Sequence, residues 1–442
     1  MGCGGLVAMT MVVRVVGLLV TMVIMQSGGA TGGVRESLIK PVVEMRCESI
    51  NGTRKREFVT RAMSFKPGTV HNLFFFVDAP EGRFATRDFL AEMVLEDATT
   101  PVPLYDTYLH HWLMYEYAVP KNDSDAHKHD LMEELQSDPL GQLKVSARHK
   151  DRKRLTEYPG APDTWFLIQQ FGVGAETRHT NTKMPAPYGF EGGDRFGEDY
   201  ESVWVLNVHA IDTRGAISRM SCTECRCDVF DFNKTGAVIL PEGYHGGLAC
   251  CHDETHCLVK NEFQGETGMK LARNLRFRYT WSWTPWDECV QPLTNVRLDV
   301  TEIGFGEQLE YEVGACESND PNDEVCIDTK VSYQRSPVSG PLISAVGHFH
   351  ASGISASIWS KDGTLLCESL PIYGQGHSVG NESGYVVGIT SCWPPADTGV
   401  PYYITKNEML KFVVKYSMVD GPHTGLMGLI NLKIATGRTG LV

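Results

Sequence analysis

Short stretches rich in β-branched and aromatic residues recur along the whole chain: HNLFFFV (71–77), SVWVLNVHAI (202–211), LRFRYTWSW (275–283), QLEYEVGAC (308–316) and ISASIWS (354–360). Gly, Pro, Asn and Asp interrupt them at short intervals, which is the signature of strands joined by tight turns. The pattern favours β-sandwiches or barrels over strand–helix–strand units. A single helix is predicted near DLMEELQ (130–136), inside a polar segment that runs on to RHKDRKR (148–154). That basic run reads as a solvated loop, with proteolytic processing as an alternative. With 442 residues and roughly 150 residues per domain as a prior, two β domains are expected. The boundary falls near TPWDECVQP (284–292), giving residues 31–290, with a Cys-rich insertion at about 215–265, and residues 291–442.

The N-terminal segment reads as targeting rather than fold. Arg14 precedes the apolar run Val15–Met25, and the small residues SGGATGG follow. Together they resemble a secretory signal peptide cut near Ala30, occupying residues 1–30. The competing reading is an uncleaved anchor over Leu6–Met25. Of the 13 cysteines, Cys3 would leave with the leader. The remaining set is Cys47, Cys222, Cys225, Cys227, Cys250, Cys251, Cys257, Cys289, Cys316, Cys326, Cys367 and Cys392. An even number in an exported chain reads as a disulfide framework whose connectivity spacing does not fix. In a reducing compartment the Cys222–Cys257 block would instead suggest zinc; His252 and His256 within it are read as loop residues. SNDPNDE (318–324) is expected to be a polar loop closed by a disulfide between Cys316 and Cys326. Sequons at Asn51, Asn122, Asn233 and Asn381 fit the same compartment. The net charge of −14 repels phosphate backbones and argues against a nucleic-acid partner.

Histidine carries the remaining chemical signal. His348 and His350 form an H-x-H in a strand-like segment, where residues two apart share a face and both imidazoles can reach one metal ion. His110 and His111 are adjacent in YDTYLHHWLMYEYAV. Neighbours on a regular strand point to opposite faces, so joint ligation there needs a bulge or a strand end. Without one, the pair reads as one core and one exposed residue. His209 in VWVLNVHAID and Met427 in HTGLMGLINLKIA read, taken singly, as core residues. His127 and His129 lie in NDSDAHKHD, read as a solvated loop. There is no G-x-S-x-G elbow, P-loop, H-E-x-x-H or dinucleotide fingerprint.

The phrases PVPLYDTYLHHW, LNVHAIDTRG, CTECRCD, GGLACC, PIYGQG and HTGLMGL, in that order from about residue 60 to 435, resemble the plant stress up-regulated nodulin family. More distantly, the order HH, then V-H in a strand, then H-x-H, then a late Met is similar to the copper type II, ascorbate-dependent monooxygenases of the peptide-amidating and dopamine-hydroxylating type. That resemblance implies an all-β chain of two jelly-roll-like sandwiches with one copper each. His110, His111 and His209 would hold an electron-transfer copper; His348, His350 and Met427 would hold the oxygen-binding one and carry catalysis. Imidazoles suit a copper that changes oxidation state, and a thioether favours Cu(I). Ascorbate would be the reductant, O2 the oxidant, and a C–H bond of an unidentified small-molecule or peptide substrate the target, in the apoplast or cell wall. The chain departs from the amidating pattern. Val346 stands where an Arg grips the substrate carboxylate, and Leu429 and Asn431 stand where an Asn and a Tyr assist, so peptide amidation is not implied.

Two other readings stand beside this one. The first is a non-catalytic extracellular binding or structural protein of the stress response that retains the fold. The second is a cupin-like single-metal site, in which GQGHSVGN (374–381) would add His377 to the H-x-H. Cupins also place a Glu shortly after the H-x-H, whereas no acidic residue follows His350 until Asp362.

Overall fold

The computed structural model describes residues 52–137, 165–216, 219–223, 259–301, 310–318, 320, 323–376, 379–394, 399–419 and 423–437. The leader, the basic run at 148–154, most of the Cys-rich block and His377 therefore lie outside the described residues, as do Asn51 and Asn233. Residues Cys47–Val442 form one compact unit. The fold is all-β, as the strand patterning predicts.

In the first half, a four-stranded sheet runs in the order Val70–Phe76, Tyr200–Asp212, Thr107–Pro120, Phe166–Gly174. Alternation along its strands separates two apolar groups. Trp112, Met114, Leu206, Val208 and Ala210 enter an aromatic core with Phe89, Trp204 and Trp281. Leu113, Tyr115, Tyr117, Val203 and Val205 pack on the other side with Leu131 and Leu135 of the helix Ser124–Ser137. The opposing layer belongs to an eleven-stranded sheet that continues into the second half. Its main path is Arg54–Val59, Arg273–Pro285, Arg83–Leu95, Tyr188–Gly193, Gln291–Asp299, His423–Ala435, Gly340–Phe349 and Ser391–Cys392. The halves are stitched where Tyr188–Gly193 runs parallel to Gln291–Asp299, through the pairs Gln291–Tyr188 and Pro292–Gly189. A second four-stranded sheet, Ile327–Arg335, Met409–Ser417, Gly353–Trp359 and Leu365–Ser369, covers the other hydrophobic core.

The predicted helix exists but starts earlier, at Ser124. His127 and His129, expected in a loop, lie on its N-terminal part, and His129 is exposed. The helix is anchored by Leu131 and Leu135, with Met132 packed beside them, so hydrophobic periodicity marks its second half alone. Cys316–Cys326 and Cys367–Cys392 are disulfides, the first closing the loop predicted around SNDPNDE. Cys222 and Cys289 are disulfide-bonded as well. Asn122 and Asn381 are exposed.

Candidate metal centre

His209 and Asn207, two apart on Tyr200–Asp212, share a strand face by alternation. His111 is the cross-strand partner of His209, but Leu109 pairs with Ala210, so one extra residue, His110, is accommodated between them. This is a β-bulge, the device that adjacent ligands on a strand require. It brings the rings of His110 and His111 to 5.5 Å between centroids, and their Nδ1 atoms to 3.3 Å. His209 lies 4.5 Å from His110 and 4.9 Å from His111, centroid to centroid. One ligand nitrogen from each of the three falls within 4.8 Å of the others. Two nitrogens bound at ~2.0–2.1 Å to one ion with a tetrahedral angle stand about 3.3 Å apart, so the His110–His111 spacing fits shared ligation without rearrangement.

Protonation fits as well. Asn207 donates its amide to the Leu73 carbonyl and to Asn72 Oδ1, which leaves its Oδ1 to accept from His111 Nε2 at 3.0 Å. The neutral His111 ring then keeps a lone pair on Nδ1. His110 and His209 are buried, and His110 Nε2 has no hydrogen-bond partner. Burial, followed by the neighbouring His209 and His350, holds His110 well below the ordinary imidazole range. Burial likewise pushes His111 down to about 4 against the opposing bond from Asn207. His110 and His111 are thus neutral at neutral pH, the form that binds metals.

The second predicted set joins the first. The His350 ring lies 5.1 Å from His110 and 5.6 Å from His348 between centroids. Both His350 nitrogens are buried; burial, then His348, pushes the group down to about 3, against the opposing pull of Glu176 and of a backbone hydrogen bond at Gly425. His348 Nδ1 meets Glu176 Oε1 at 2.7 Å, a pair with side-chain exposures of 12% and 2%. Burial pushes the Glu176 carboxyl up, but His348 beside it and the backbone N–H groups at Gly174 and Glu176 hold it below its ordinary value. Five imidazoles and one carboxylate from both halves thus form one continuous group. Met427 is half-buried. Phe349 pairs with Gly428, and Tyr416 Oη accepts from the His350 N–H while donating to the Met427 carbonyl. The regular ladder ends at that pair, and beyond it the Tyr416 hydroxyl bridges the backbones of His350 and Met427. Val346, Asn431 and Arg297 are aligned in one transverse row, so a guanidinium enters the row of Val346 from another strand.

Glu176 and Asn207 escape the sequence reading. Asn207 carries a usable signal, its position two residues before His209 on a strand. Glu176 carries none, because only tertiary structure brings it to His348. The three-histidine group and the exposed helical trio His129, Asp130 and Glu133 are the clusters of potential ligands among the described residues. The family model for stress up-regulated Nod 19 matches residues 51–437. The chain belongs to the stress up-regulated Nod 19 family. No curated protein matches this Nod 19 chain. Among solved structures it is similar to PBCV-1 VP54 fitted into a reconstruction of the virophage Sputnik, at 10% identity over 87% of this chain and 94% of that one, TM-score 0.26. It is also similar to PNGF-II, at 9% identity over 82% and 59%, TM-score 0.24.

Proposed function

We propose that this Nod 19 protein is an exported copper protein that oxidises a C–H bond of a small-molecule or peptide substrate with O2 and ascorbate. The observation that supports this reading is the bulge-built group His110, His111 and His209, whose rings stand at ligand spacing. Copper bound there would supply one-electron redox chemistry. In this reading His110, His111 and His209 hold one copper, and His348, His350 and Met427 hold a second that meets O2. The protein's part is to hold these imidazoles in place, with His110, His209 and His350 buried. Disulfide bonding at each described cysteine supports export. Among the described residues no helix is long and apolar enough to cross a membrane.

A second reading keeps the metal without turnover: a non-catalytic extracellular protein in which the ion ties the two halves together. Its support is the continuity of the imidazoles, since His110 of one half touches His350 of the other.

The test is copper content and the Cu(II) EPR spectrum of the full chain secreted from eukaryotic cells. Two coppers per chain with nitrogen-rich signals, and ascorbate-dependent O2 uptake, support the enzyme. Bound copper without O2 uptake across a panel of hydroxylatable substrates supports the second reading. No copper after reconstitution, with His209→Ala indistinguishable from wild type, overturns both.

A further inference from the structure

We propose that Glu176 is the positioning residue for His348, so that a carboxylate from the first half decides which nitrogen the second half presents to a metal. The inference rests on the metal-binding reading above and adds a residue to it.

The geometry begins with the strand that carries the first ligand set. Gly174, the last residue of Phe166–Gly174, is the cross-strand partner of His111. The short 3-10 turn Ala175–Arg178 follows at once. Glu176 is therefore two residues from a position paired with His111 in the ladder, so its carboxylate is held in register with the His110–His111 bulge. The chain is close-packed at this point. A Cβ on Gly174 would lie 2.7 Å from the His110 carbonyl oxygen, 2.8 Å from Glu176 Oε2 and 2.9 Å from His348 Cε1. These are closer than side chains approach, so the absence of a side chain at 174 is what admits the His348 ring against this turn. The Nδ1–Cε1 edge of the ring sits in a cradle formed by the Gly174 backbone and the Glu176 carboxylate.

The consequence for His348 is chemical. A carboxylate accepts and does not donate. At 2.7 Å it requires a proton on Nδ1, so in the neutral ring Nε2 is the nitrogen with a lone pair. His350, two residues on, has both ring nitrogens buried, its ring 5.6 Å away between centroids. An imidazole that donates its other N–H to a carboxylate is fixed in orientation and is the more basic ligand. The second half thus supplies the imidazoles, and the first half supplies the group that sets one of them.

The test uses the full, disulfide-intact secreted chain, with Cu(II) and, as a redox-inert probe, Zn(II). Nitrogen-15 spectra of metal-free wild type assign the His348 tautomer without any substitution. The expected result is a proton on Nδ1; a proton on Nε2 overturns the proposal. Metal titrations then compare wild type, Glu176→Gln, Gly174→Ala and His348→Ala. Glu176→Gln is expected to weaken the His348-dependent binding step roughly 10–100-fold, leaving the step lost in His209→Ala within about twofold. Gly174→Ala, which keeps the carboxylate but fills the cradle, is expected to weaken the same step. If His348→Ala loses that step while Glu176→Gln does not, Glu176 is only an ion-pair partner and the inference fails. Should wild type bind neither metal, the metal-binding reading fails, and the tautomer alone shows whether Glu176 controls His348.

Discussion

Asp299 offers a sharp quantitative test of the electrostatics of the second half. It ends the strand Gln291–Asp299 at 7% exposure. Its Oδ1 accepts the Thr301 N–H at 2.9 Å, while Oδ2 has no hydrogen-bond partner. Burial pushes the carboxyl from 3.8 up to about 6, against the opposing pull of Thr301 and Arg297. Between these values the folded chain retains a proton that the unfolded chain has released, so stability is lost as pH rises through the window. At ~1.4 kcal/mol per pH unit, the cost above about pH 6 reaches about 3 kcal/mol. Asp299→Asn removes the titration and keeps the acceptor for Thr301. Its amide N–H groups meet no partner, a cost of about 1–3 kcal/mol that is the same at every pH. The absolute change in stability is therefore uninformative, and its pH dependence is the measurement. Urea unfolding of wild type and Asp299→Asn, disulfides intact, at about pH 4 and about pH 7.5 should show the variant gaining roughly 2–3 kcal/mol on wild type between the two. A difference that stays constant within about 0.5 kcal/mol would refute the claim that the Asp299 carboxyl is buried in its charged form at neutral pH.

Four further outcomes are expected. Asn207→Leu, which removes the acceptor for His111 Nε2, should lower affinity at the His110–His111–His209 group about 10–100-fold in a metal titration. Metal at about a hundred times its dissociation constant should raise unfolding free energy by about 2.7 kcal/mol, a gain that chelation reverses and His209→Ala lacks. Arg195→Ala removes the cation paired at 2.7 Å to the fully buried Glu116 and leaves it only the neutral donors Gln169, Gly193 N–H and Ser202, and should cost about 3–5 kcal/mol by denaturant titration. Trp281→Ala, at the centre of the first aromatic core, should cost about 3–5 kcal/mol on the same assay.

The β character was legible because each predicted stretch carries its own evidence: β-branched and aromatic residues between turn formers. The disulfide around 318–324 was legible for a similar reason, since its two cysteines flank a short polar loop. Local evidence fails where structure depends on a partner. Nothing in YLHHW announces a bulge; the extra residue exists only relative to Leu109–Ala210 and His111–His209 across the ladder. Likewise, HFH shows two imidazoles on one face but not that the face opposes a second histidine group. The sequence expectation of two sites remains a proposal, while the structure places the members of both sets in contact through His110 and His350. Glu176 was invisible because its partner lies 172 residues away.

The thinness of the parallel seam has a consequence for how this architecture can change over generations. Two backbone pairs, Gln291–Tyr188 and Pro292–Gly189, join the sheets of the two halves along the ladder, so side chains such as His348 against Gly174 must set much of their alignment. Tyr385 and Val387 of the second half also complete the first aromatic core, so exchanging either half for that of a diverged relative would open that core as well as displace the imidazoles. A replacement half would have to bring matching residues at 174 and 176, or at 348 and 350, for His348 to keep its carboxylate.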